Sequence, residues 1–234
     1  MEEPRESLEL RILTERGTAF EAGGRRWELS AQPLGGALLL ERELRGLRPA
    51  EGLPTGTDPM TELLLLAEEQ RGAVLRAIAR GTLRSRAEHL DEGLLEARTR
   101  ELDGALESDE AATLLAALLT RPGAGDLIRE LGLEKERETQ GRLSELRQRE
   151  SGTLTFGGRS VFGRVIDAAC HRYGWTYEYT VWGISLEALR MLLADQTVSV
   201  SVSDDERRKT GLRLAGETDG EKMSLEELRA LTEE

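Results

Sequence analysis

Cys170, the only cysteine in the 234-residue chain, is followed directly by His171, and the one other histidine is His89. A Cys/His pair can form a thiol nucleophile when the imidazole takes the proton from the sulfur, which requires the two side chains to meet. Consecutive residues on a helix point about 100° apart and do not face one another. Cys170 is therefore expected to be a buried structural thiol, with His171 half-exposed beside it. His89 lies amid Arg86-Ala-Glu88 and is expected to be solvated on a charged helix. One cysteine and two histidines do not make a zinc site, and Asp167, Asp195, Asp204 and Asp205 lack the spacing of a calcium loop. Gly157-Gly158-Arg159-Ser160 has the small residues of an anion-binding turn but not the Gly-Lys-Ser/Thr ending of a phosphate loop. It reads as a hinge. No catalytic residue, cofactor or metal is expected.

The residues that stand out are aromatic. Seven of the nine lie between Phe156 and Trp182, and none occurs from Glu28 to Thr155. Tyr173, Trp175, Tyr177, Tyr179 and Trp182 fall within ten residues of one another. Read as a strand, Trp175, Tyr177 and Tyr179 form one wholly aromatic face; read as a helix, Tyr179, Trp182 and Leu186 stack. Trp175 and Trp182 are expected to serve mainly as core. Tyr and Trp also suit interfaces, and burying one such ring contributes on the order of 2–3 kcal/mol. Tyr177 and Tyr179 are the rings expected to remain for a partner.

The elements around this cluster follow from periodicity and punctuation. Leu8 to Leu13 alternates loosely as a strand, and Phe20 to Leu29 reads as a hairpin turning at Gly23-Gly24. Ala37 to Leu47 is expected to be a helix, followed by a Pro- and Gly-containing loop over Arg48 to Asp58. Asp58-Pro59 should open a helix running to about Arg80, and Ser85-Arg-Ala-Glu88 is a capping box for a second, ending near Gly104 or Leu106. Ser108 caps a third, to Thr120, and Asp126 to Glu150 is a highly charged fourth. Ser151 to Gly163 is the expected boundary, followed by a helix over Val161 to Tyr173 and another over Ser185 to Ala194. Thr197 to Ser203 alternates as a short strand would, or begins a tail, and Ser224-Leu-Glu-Glu227 is a further capping box. The fold class is thus α+β and predominantly helical: residues 1–48 with a hairpin and helix, a helical body over 58–150, an aromatic-rich segment over 151–196, and a flexible acidic tail over 197–234.

Acidic residues outnumber basic ones by 44 to 32, a net charge of −12. Such a field repels nucleic acid. The Arg-rich pieces (Arg45, Arg48; Arg80, Arg84, Arg86; Arg207, Arg208, Lys209) have acidic neighbours and read as solvated helix faces. Leu63 to Ala67, Ala37 to Leu40 and Leu114 to Leu119 are far too short to span a membrane. No signal peptide is expected, and a reducing cytoplasm is the expected compartment. The expected partners are proteins, including further copies of the chain in a homo-oligomer, and neither nucleic acid nor a membrane.

Two stretches carry a family resemblance. Gln32-Pro33-Leu34-Gly35-Gly36-Ala37-Leu38-Leu39-Leu40, after a hairpin, resembles the opening of phage tail assembly chaperones, although the hydroxyl residue usual after Pro-Leu is missing. Tyr173-Gly-Trp175, Val181-Trp182-Gly-Ile184-Ser-Leu186-Glu-Ala-Leu189 and Leu192-Leu193-Ala194-Asp195 are similar to small proteins encoded beside tail tube and tape-measure genes. The resemblance implies a non-enzymatic cytoplasmic chaperone that coats the tape-measure protein during tail assembly. It also implies a longer frameshifted form that recruits tail tube subunits. The alternative is a structural component retained in the finished virion or injection particle.

Overall fold

The structure, a computed structural model, describes residues 5–48, 56–120, 123–151, 159–197 and 199–210. The central part of the expected loop at 49–55, the Gly/Ser/Thr-rich segment 152–158, and residues 211–234 with the Ser224 capping box lie outside them. The fold is α+β and predominantly helical, with one two-stranded antiparallel sheet near the N-terminus. The chain divides into two compact units, Met1–Leu133 with Gly157–Gln196, and Glu134–Phe156 with Thr197–Glu234.

In the first unit, α1 (Arg5–Leu13) replaces the strand expected over Leu8 to Leu13. The spacing that decides is four, not two: Leu8 and Ile12 are both buried, while Leu10 and Leu13 are about half exposed. The hairpin of β1 (Thr18–Ala22) and β2 (Arg25–Leu29) turns at Gly23 and Gly24, whose φ angles of 59° and 70° suit a primed turn. It pairs Phe20 with Trp27, whose rings stack at 6.4 Å.

Helix α2 (Leu34–Arg45) begins directly after Pro33, three residues before the expected start at Ala37, and buries Gly35 and Gly36. Asp58 caps α3 (Pro59–Glu69) by accepting from the Met60 and Thr61 amides. The single helix expected from there to Arg80 is broken at Gln70. Its side-chain amide accepts from the Arg48 N–H and donates to the Arg48 carbonyl, holding φ at −123°, and α4 (Arg71–Gly81) restarts in a new direction. A second break separates α5 (Arg86–Leu90) from α6 (Glu92–Asp103). Asp91 leaves the helical region there and caps α6 through the Leu94 amide. After α7 (Ser108–Thr120), the expected charged helix is split again: α8 (Ala124–Glu130) ends before Gly132, at φ 72°, and α9 (Leu133–Ser151) follows.

Two apolar clusters form the core of this unit. In one, Trp27 and Leu29 of the hairpin pack with Val74, Leu75, Ile78, Leu95, Leu102 and Leu115 from α4, α6 and α7. In the other, Leu8 and Ile12 pack with Leu127, Ile128, Ala169 and Leu189.

Arg80 corrects the reading of its Arg-rich stretch as a solvated face. It is fully buried. Its guanidinium donates to the His89 carbonyl at 2.7 Å, to Glu43 at 2.9 Å and to Glu92 at 3.2 Å, so it joins α2, α4, α5 and α6. Arg76 donates to the same two carboxylates. Burial alone would raise the Glu43 pKa, but hydrogen bonds from Arg80 and Arg76 hold it below the ordinary carboxylate value.

In the second unit, Ser203 and Glu206 form a reciprocal cap on α12 (Asp204–Thr210), and Arg147 of α9 donates to Glu206 at 2.7 Å and to the Ser201 carbonyl. Of the two readings of Thr197 to Ser203, a short strand or the start of a tail, the strand does not form among the described residues. The expected tail carries a helix at 204–210.

Arg80→Ala should lower stability by about 3 kcal/mol, read as a lower urea midpoint, because it leaves half-buried Glu43 with only Arg76 and the exposed Arg42, at 3.5 Å, to offset its charge. Arg84→Ala, which removes the exposed 2.5 Å pair with Glu28, should cost less than about 1 kcal/mol.

Candidate partner-binding site: the aromatic joint

Ser160 opens α10 (Val161–Tyr173) by accepting from the Gly163 amide at 3.0 Å. Gly174 closes it in the left-handed region, at φ 66°. Thr176 then caps the next turn, its Oγ1 accepting from the Tyr179 amide at 3.1 Å. From Tyr179 to Gly183 the backbone is a π-turn, and Ser185 caps α11 (Leu186–Ala194) through the Ala188 amide. The segment is therefore not a strand, and Tyr179 does not stack on Trp182 as a regular helix would place it. The wider turn sends the two rings apart.

One set of rings runs from the second apolar cluster, against which Tyr173 and Trp175 pack, out to the surface. Tyr173 stacks on Trp175 at 4.6 Å, and Trp175 meets Tyr179 edge-on at 5.1 Å. The Tyr173 hydroxyl donates to the Leu192 carbonyl of α11 at 2.9 Å, which ties the row to the fold. Tyr173 and Trp175 are half-buried, whereas Tyr177 and Tyr179 are 63% and 44% exposed. Gly183 makes room for this row, since a β-carbon there would lie 2.3 Å from Tyr179 Cδ2.

Trp182 faces inward and is half-buried. A β-carbon on Gly35 would lie 2.6 Å from its six-membered ring, so the start of α2 is glycine where the indole lies against it. On the other side the indole meets His89 at 5.9 Å. His89 is 1% exposed, which overturns its reading as a solvated residue. Its charged sequence neighbours are misleading because α5 is a single short element whose opposite side faces α2. Gly36 completes the slot, with His89 Nε2 only 2.6 Å from the position of its missing β-carbon. The Gly35-Gly36 pair in the first turn of a helix is the sequence signal for this close approach. Two backbone amides fasten the joint to the hairpin side: Leu186 N–H donates to the Gln32 carbonyl at 2.8 Å, and Ser185 N–H donates to the Glu15 carboxylate at 2.6 Å.

The remaining candidate residues are dispersed. Cys170 is half-buried, with its sulfur 3.5 Å from the hydroxyl of buried Thr180, and His171 is exposed. Ser160 is used as a helix cap, and Gly157 and Gly158 lie outside the described residues. Among the described residues no three His, Cys, Asp or Glu side chains are placed to hold a metal ion, and no helix is long and apolar enough to cross a membrane. No protein family, curated protein or solved structure matches the chain.

Gly35→Ala should force Trp182 out of its slot, lowering stability by about 1–3 kcal/mol and shifting tryptophan emission. Gly72→Ala, in α4 with open space around it, should instead be neutral or stabilising by up to about 1 kcal/mol.

Proposed function

We propose that this chain is a non-enzymatic protein-binding factor whose aromatic joint docks another protein. The observation that carries the reading is the division of the five rings. Trp182 is spent on anchoring, while Tyr179 is left exposed at the end of a row fixed through Trp175 and Tyr173, and Tyr177 is exposed two residues before it. Aromatic rings held in place lose little conformational freedom on binding, and Tyr and Trp dominate the energetics of protein interfaces. The net charge of −12 keeps a complex with an apolar partner soluble.

The family resemblance gives the specific form of the proposal: a chaperone of phage-type tail assembly that holds the tape-measure protein and recruits tail tube subunits. An amphipathic helix laid against an apolar face is the binding mode that suits such a long helical partner.

The test is co-expression with the long coiled-coil protein encoded beside it, followed by co-purification. The complex should form, and Tyr177→Ala and Tyr179→Ala should each weaken it roughly tenfold with the unfolding midpoint unchanged. Failure to co-purify with that protein would contradict the proposal. Mass spectrometry of finished particles should find the chain absent, and its presence there would make it a structural component.

A further inference from the structure

The imidazole of His89 is buried without a hydrogen-bond partner on either nitrogen, in contact with the indole that anchors the joint. The groups facing it make a further positive charge costly. From α4, Arg80 is committed to the carbonyl of His89 itself. From α6, Arg98 adds a second guanidinium, paired with Glu88 at 2.7 Å. Glu88 is the one carboxylate whose charge favours the imidazolium, but its oxygens are already engaged by Arg98 and by the Arg84 and Ser85 amides. Glu43 of α2 and Glu92 of α6 are bound to Arg80 and Arg76. The other side of the ring meets groups without charge, Trp182 and the Gly36 backbone. Gln32 adds only a neutral amide: its Oε1 and His89 Nε2 lie within 2.8 Å and 2.6 Å of the same point beside Gly36. Neither atom has a hydrogen-bond partner, so the neutral tautomer leaves its single N–H unpaired. A protonated ring has a second N–H with no acceptor.

We propose that His89 is an acid-sensitive latch, whose protonation expels the ring from its slot and releases Trp182, undocking residues 175–184 from α2 while the helical core stays folded. The direction follows from linkage. Burial, reinforced by Arg80 and Arg98, lowers the His89 pKa from its ordinary 6.5 to about 4. The neutral ring therefore contributes stability that is fully present above pH 6.5 and is lost progressively as the pH falls towards 4. Glu43, Glu88 and Glu92 are all held below the ordinary carboxylate value, by hydrogen bonds that outweigh burial.

The experiment follows Trp182 emission against pH in the full chain carrying Trp27→Phe and Trp175→Phe. Emission should shift to the red between pH 6.5 and 4 with far-UV circular dichroism unchanged, and His89→Gln should remove that shift. In the unsubstituted chain, hydrogen exchange corrected for intrinsic rate should show Thr180 amide protection falling at least about tenfold over the same range, with Ile78 of α4 unaffected. A flat response in both readouts, a red shift that survives His89→Gln, or loss of emission and helicity together would each overturn the latch.

Discussion

A guanidinium taken fully out of water needs acceptors; Arg80 finds them for its two terminal nitrogens, though not for Nε, and the packing of four helices follows from where those acceptors lie. Glu43, Glu92 and the His89 carbonyl come from α2, α6 and the end of α5, and each can reach Arg80 only if its own helix is correctly placed. Replacing such a network with apolar side chains is often neutral for stability, so its worth here lies in position. Fixing the His89 carbonyl also fixes the imidazole on the same residue. The imidazole, with Gly35 and Gly36, then defines the slot that receives Trp182.

This dependence gives the aromatic joint two sides with different tasks. The π-turn opens the backbone by one residue, so Trp182 turns inward while Tyr179 lies over Gly183 and faces out. The exposed row is thus held at both ends, by the Trp182 slot and by the Tyr173 hydroxyl on α11. An interface built this way is presented already ordered, which reduces the entropy lost when a partner docks.

Much of the local structure was legible in the sequence because it is written in short-range chemistry. The Gly23-Gly24 turn, the Asp58-Pro59 start and the Ser85 capping box each need only neighbouring residues. The errors arose where a distant contact decides. Gln70 breaks a helix because Arg48 offers its backbone, and Leu8 and Ile12 are helical because α8 and α11 bury both at once. His89 and Arg80 looked solvated because their carboxylate and glycine partners lie elsewhere in the chain. The aromatic cluster was visible as a location, but the π-turn that sorts its rings was not, since nothing local distinguishes it from an ordinary helical turn.

The ion network at Glu43 holds the aromatic joint at Gly35 and Gly36, about two turns away along α2. Glu43 makes no hydrogen bond to the joint, so Glu43→Gln perturbs only the network. Amide hydrogen exchange at neutral pH should then show Thr180 and Leu186 losing protection together with the α4 amides. Unchanged protection at Thr180 and Leu186, with loss confined to α4, would contradict the account.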